Sequence, residues 1–226
     1  MRTYLLKSLK MVINCTAYGG IKTYTYFSGD YKMNVNILLF NDFETLDIFG
    51  PIEILGQVEE YNLNYYSQNG GIITSRQKAR IITEDINSAD KKGILVIPGG
   101  MGTRELVNDE LFLKMLHDVA QEASFCLSIC TGSALLGKAS VLDGKSATSN
   151  KQAFEWVKSV NDNVNWIQKA RWVVDGKYYT SSGVSAGIDM TLGFVSDRFG
   201  IEKANEIAKH IEYVWNSDSK NDLFSK

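Results

Sequence analysis

The sequence predicts an α/β fold in which a mostly parallel sheet is sandwiched between helices. Three observations carry this expectation. Apolar runs such as Ile94-Leu95-Val96-Ile97 and Phe125-Cys126-Leu127-Ser128-Ile129 lack the polar alternation of a half-exposed strand, so they read as strands buried on both faces. Such runs alternate along the chain with segments of helical period, the order from which parallel sheets are built. Finally, Ser128-Ile129-Cys130-Thr131-Gly132 lies where a buried strand gives way to the helical stretch 133–139. That places a thiol on a strand-to-helix turn, a nucleophile elbow.

Taken in order, residues 1–32 are basic (Arg2, Lys7, Lys10, Lys22, Lys32) and rich in Tyr, with no clear period. Lys7 and Lys10 would interrupt the apolar core of a signal peptide, and Val12-Ile13-Asn14-Cys15 is a poor lipoprotein cleavage site, so no export signal is expected. The segment reads as an N-terminal extension or a start codon set too early, disordered or at least dispensable. The domain proper is expected over 33–216, with 217–226 as a C-terminal tail. Its first strand covers 34–40, and a short helix runs from Thr45 past Pro51 to about Val58. Residues 62–67 form the next strand. Residues 72–74 and 81–83 form an antiparallel excursion, and 93–97 returns to the buried parallel type. Thr103 is placed to cap one helix reaching about Ala123, with Leu106, Val107, Leu111, Met115, Leu116 and Val119 as its apolar stripe. A short strand falls within 141–148 and a helix over 151–160. A hairpin over 166–180 turns at Asp175-Gly176, and two closing helices, 185–199 and 202–215, break at Gly200.

Composition narrows the function. With 226 residues, 44% hydrophobic and 22% charged, the chain suits one sizeable domain that needs no disulfides for its core. A formal charge of −2 offers no electrostatic case for nucleic acid or an anionic membrane, and no later stretch is long and apolar enough to span a bilayer. The expected partner is a small neutral molecule. Cys126 and Cys130, on one extended strand, would lie about 13 Å apart at roughly 3.3 Å per residue, too far for a disulfide. With Cys15 the count is odd and no C-x-x-C pair occurs, which suits a reducing cytoplasm and argues against a metal site.

Ligands of such sheets bind beyond the carboxyl ends of the strands, and three loops meet that condition: those carrying Asp47, Gly99-Gly100 and Cys130. Cys130 is either a small buried hydrophobe or a nucleophile. In the second case the helix N-terminus behind it should favour the thiolate, with a pKa below the usual value of about 8.5, and Gly132 would let the backbone turn. Asp47 reads as a helix-capping residue or as an acid/base, with Glu44 as competitor. Gly99-Gly100 is a turn or a pair of bare amides for an anion. His117 and His210 read as surface or packing residues, so a Cys-His pair is not expected. Trp156, Trp166, Trp172 and Trp215 read as core or interface, with Phe49 and Trp156 also as candidate pocket walls.

Leu46-Asp47-Ile48-Phe49-Gly50-Pro51, Ile97-Pro98-Gly99-Gly100, Ser128-Ile129-Cys130-Thr131-Gly132-Ser133 and Ser182-Gly183-Val184-Ser185-Ala186-Gly187-Ile188-Asp189 resemble the ThiJ/PfpI superfamily, of flavodoxin-like, class I glutamine amidotransferase-like fold. Among its branches they most resemble the isocyanide hydratases, over roughly residues 33–213. The resemblance implies Cys130 as nucleophile, Asp47 as acid/base, the Gly100 and Thr131 amides around developing charge, and the Thr131 hydroxyl as a tuning group. It implies a homodimer and no cofactor. Gly99, Asn150 and Phe49 are substrate-binding candidates. Peptidase and amidase relatives carry a His directly after the cysteine, where this chain has Thr131; hydratases commonly carry a His at the place of Asn150. A related branch adds an AraC-type DNA-binding domain, for which no room is expected after Trp215.

Two functions follow. A thiol and a carboxyl without histidine suit addition of water to an isocyanide, giving an N-substituted formamide with neither metal nor organic cofactor. The alternative is a redox-responsive thiol or small-ligand-binding protein, in which a low-pKa exposed Cys130 oxidises reversibly. Glyoxal or glycated-substrate chemistry is a third reading, and it usually recruits a His.

Overall fold

The computed structural model describes residues 10–16, 21–27 and 32–225. The chain divides into two units, Met1–Lys32 and Met33–Lys226. In the first, β1 (Lys10–Thr16) and β2 (Ile21–Phe27) pair antiparallel, Lys10 opposite Phe27 and Thr16 opposite Ile21. Ile21, Thr23, Tyr24, Thr25, Tyr26 and Phe27 are strand-favouring types, a propensity signal that the search for a period overlooks. The rest of the expected extension lies outside the described residues.

The second unit runs β3 (Met33–Leu38), α1 (Thr45–Gly56), β4 (Tyr61–Ser67), β5 (Gly71–Thr74), β6 (Arg80–Asp85), β7 (Ile94–Ile97), α2 (Thr103–Leu106), α3 (Glu110–Glu122) and β8 (Phe125–Ser128). It continues through α4 (Gly132–Lys138), β9 (Ser146–Ala147), α5 (Phe154–Val160), β10 (Asn165–Trp166), β11 (Trp172–Asp175), β12 (Tyr178–Ser181), α6 (Ala186–Phe199) and α7 (Ile201–His210). Eight strands form one sheet in the order β11-β12-β8-β7-β3-β4-β6-β5. Only its two outermost pairs are antiparallel. Every residue of β7 is buried, as its unbroken apolar run requires. Val35, Ile37, Val96, Leu127, Leu135 and Phe194 join sheet and helices in one core.

Several boundaries depart from expectation for local reasons. The single helix expected from Thr103 is two, because the Asp109 side chain accepts the Phe112 N–H at 3.0 Å and starts α3 afresh. That restart changes the phase of the stripe: Phe112 is buried, whereas Leu111 is 76% exposed. The helix expected over 151–160 is shorter, since Asn150 Oδ1 holds the backbone N–H groups of Gln152 and Ala153 in a turn. Trp166 pairs with Ala147 in a small parallel ladder, so the hairpin begins only at Trp172, with Gly176 at φ +62° in its turn. The final helix ends at His210. The segment after it folds back: the Trp215 indole donates to the Asp189 carbonyl (3.1 Å), Arg171 N–H to Ser219 O (2.8 Å), and Asp222 is buried. The segment expected as a tail is therefore bound to the domain through these contacts.

Candidate active site

Strands β3, β7 and β8 are neighbours at the middle of the sheet, so the loops leaving their carboxyl ends meet above β7. Backbone bonds join the first two loops: Glu44 N–H donates to Gly99 O (2.9 Å), Gly102 N–H to Asp42 O (3.3 Å), and Phe43 bridges to Gly100. Ile129 N–H donates to Ile97 O (2.9 Å) and fastens the third. Gly99 permits this approach, because a Cβ there would lie 2.9 Å from the Cys130 Cβ and 2.6 Å from Thr131 Oγ1.

Cys130 stands at φ +56°, a left-handed conformation costly for a residue with a side chain. Its surroundings hold it there. Cys130 N–H donates to Ser182 O (3.1 Å), and its carbonyl accepts from the hydroxyls of Ser149 (2.8 Å) and Ser133 (3.2 Å). The left-handed turn thus belongs to the cysteine and not to Gly132. Gly132 serves close packing instead, since its Cβ would sit 2.7 Å from Ile97 O. The N–H groups of Thr131 and Val184 and the Asn150 side-chain amide are directed at the sulfur. Because Asn150 Oδ1 is already committed to two backbone N–H groups, its NH2 end is the one left for the thiol.

Asp47, in the first turn of α1, is wholly buried. Its carboxylate caps no helix: Oδ2 accepts the Gly99 N–H at 2.8 Å, and Oδ1 has no hydrogen-bond partner. Burial, with a smaller push from the Glu44 charge, raises its pKa to about 7, against the Gly99 N–H and the Cys130 side chain, which favour the anion. Burial and the Asp47 charge likewise push the Cys130 thiol up to about 12, overriding the three N–H donors. The expected low-pKa, exposed thiol is therefore corrected. Cys130 is 6% exposed, and the desolvation that a helix N-terminus would have to overcome wins. Cys126 and Cys130 are both free, and burial raises Cys126 to about 12 as well.

Residues 33–197 match the DJ-1/PfpI family. The chain belongs to that family. It is 29% identical over 186 residues to the isonitrile hydratase of Pseudomonas putida, covering 80% of this chain and 79% of that one. A deglycase of Pyrococcus horikoshii is 28% identical over 154 residues, 66% of this chain and 89% of the relative. Among solved structures, a ThiJ/PfpI family protein of Pseudomonas syringae superposes with a TM-score of 0.73 at 25% identity, covering 82% of this chain and 76% of its own.

Within this DJ-1/PfpI domain the structure gathers Cys130, Asp47, Thr131, Gly99, Gly100 and Asn150, and it sorts their roles. The Gly100 N–H does not face open space; it donates to Thr131 Oγ1 (3.1 Å), and the Thr103 hydroxyl donates to Gly100 O at 2.8 Å. Of the two amides expected around developing charge, that of Thr131 is the one that favours the thiolate. Glu44 turns away to accept from Gln77 Nε2 (2.6 Å). Phe49, 43% exposed on α1, has no hydrogen bond or ring stacking with the site among the described residues, so the pocket-wall expectation for it lacks support. His117 Nδ1 lies 2.8 Å from Ala139 O, and His210 is exposed on α7. Ser149, Ser182 and Val184 were missed as site residues. The Ser182–Asp189 motif signalled two of them, but which backbone groups reach the sulfur depends on where β12 ends beside β8.

Proposed function

We propose that this protein is a cysteine-dependent isocyanide hydratase. The observation that carries this reading is the buried carboxyl group of Asp47 set against the Cys130 thiol, one oxygen fixed by Gly99 N–H and the other without a partner. Such a pair holds one mobile proton away from bulk solvent, with no histidine at the sulfur among the described residues.

Isocyanide addition needs that proton. As the Cys130 sulfur bonds to the terminal isocyanide carbon, its proton passes to Asp47 and from there to the same carbon, leaving a neutral thioimidate and an ionised Asp47. Water then adds to that carbon, giving one proton to Asp47, which passes it to the imine nitrogen. The neutral tetrahedral intermediate collapses by breaking the C–S bond, the departing sulfur faces the Thr131, Val184 and Asn150 donors, and Asp47 carries the hydroxyl proton of the intermediate to sulfur as the carbonyl forms. The net change is R–NC plus water to R–NH–CHO, and the pair ends as it began.

The similarity to the P. putida isonitrile hydratase supports the same reading. The redox-sensor alternative required an exposed, acidic thiol, and burial of Cys130 counts against it. We also read the protein as a homodimer, as the family resemblance implies, and as cytoplasmic, as its cysteine usage suggests; no described helix is long and apolar enough to cross a membrane. Purified protein incubated with a panel of aliphatic and aryl isocyanides should yield formamides by mass detection, without added metal. A panel that yields none while Cys130 oxidises selectively would return the thiol-sensor reading.

A further inference from the structure

One charged side chain at the rim of the site is left without a partner. Arg104, in α2, lays its guanidinium on the indole of Trp156 in α5, with Cζ 3.3 Å from the ring centroid. Among the described residues no carboxylate pairs with it. Stacking uses only one face of a planar group, so the N–H donors around its edge remain available for a bidentate anion. The stack bridges two walls of the site. Arg104 follows Thr103, whose hydroxyl lies 3.1 Å from Thr131 Oγ1. Trp156 lies on the helix that starts from the Asn150 turn, and both α2 and α5 pack on α4, the helix leaving Cys130. The guanidinium is close enough to sense charge on the Cys130 sulfur.

We propose that Arg104, held flat by Trp156, determines specificity by selecting substrates with a carboxylate beside the reacting carbon; resting on the hydratase reading, this means a small isocyano acid in place of the neutral molecule expected from composition. The indole restricts the guanidinium to one plane, so less rotamer freedom is lost on binding than for a free surface arginine.

Two measurements test this on the full chain. The first is the quotient of kcat/KM for isocyanoacetate over that for its methyl ester, which should fall at least tenfold in Arg104→Gln, with Arg104→Lys in between because it keeps charge without the fork. The second does not depend on hydration. The quotient of Cys130 alkylation rates by iodoacetate and iodoacetamide, read on the Cys130 peptide, cancels the thiolate fraction. It should fall at least threefold in Arg104→Gln, and in wild type it should fall as salt is raised. An alkylation quotient within twofold of wild type overturns the inference whether or not formamides form. If hydration occurs, an unchanged acid-to-ester quotient overturns it too. A falling alkylation quotient with no formamide from any isocyanide sustains anion selection and sinks the hydratase reading alone.

Discussion

Asp47 and Asp189 are both wholly buried, yet their surroundings differ in kind. Asp189 Oδ2 is paired with the Arg171 guanidinium, and its Oδ1 accepts from Tyr213 Oη (3.1 Å) and Asn216 N–H (2.9 Å). Arg171, itself buried, also faces Asp222 at 3.6 Å. This cluster joins the start of α6, the loop before β11 and the returning C-terminal segment. Asp47 has one N–H bond and one unpartnered oxygen, and its nearest ionisable neighbours, Glu44 and Cys130, offer no positive charge. A buried carboxylate whose oxygens are all committed fixes geometry. One left short sits close to neutrality between its two protonation states, which is what proton transfer demands.

Removing either member of the poorly satisfied pair should have the largest effect, and on rate. Asp47→Asn and Cys130→Ser should each lower formamide production by at least about a hundredfold while the fold survives. In wild type, kcat/KM should rise with pH about a midpoint near 7, where Asp47 releases the second proton of the pair. A flat profile across that range would remove Asp47 from the proton path.

The ion-paired cluster around Asp189 should answer in stability instead. Arg171→Met leaves Asp189 and Asp222 buried without their counter-charge, and should cost about 3–5 kcal/mol in denaturant unfolding. Loss of under about 1 kcal/mol would show that the cluster is not the anchor of the C-terminal segment.

A pH series on Asp47→Asn sharpens the contrast further. The folded-state pKa of Asp47 lies near 7, above its unfolded value of 3.8, so the folded protein binds the extra proton between those limits. The associated stability is present below the unfolded pKa and is lost as pH rises through the folded one. Asn cannot ionise and escapes that loss. Its Tm relative to wild type should therefore climb by several degrees from about pH 4.5 to about pH 8, reflecting on the order of 3 kcal/mol. A gap independent of pH would mean that Asp47 titrates normally.

The smallest effect is expected from the N-terminal segment. A chain beginning at Met33 should match the full chain in activity and within about 0.5 kcal/mol in stability. A clear fall in Tm would show that residues 1–32 contribute to the folded domain.

Much of this was legible in the chain. Unalternated runs at 94–97 and 125–128 placed two central strands, and the segments after them and after the first strand named Gly99-Gly100, Cys130 and Asp47 as candidates, because periodicity and chain order are local properties. Helix breaks were less legible. Asp109 restarts α3 with a single side-chain bond, which shifts Phe112 into the core and Leu111 out of it. The C-terminal strap could not be read at all, since Arg171, Asp189 and Asp222 are ordinary charged residues until folding buries them together.

By itself, then, the sequence determined the α/β order, the elbow and the list of side chains available at it, because hydrophobic period and backbone preference are written residue by residue. Tertiary structure decided their electrical state. The helix N-terminus argued for an acidic thiol, but whether Cys130 is ionised depends on how much water and charge surround it. Burial, the adjoining Asp47 and the donors from Thr131, Val184 and Asn150 come from separate parts of the chain, and their balance exists only once the strands are side by side.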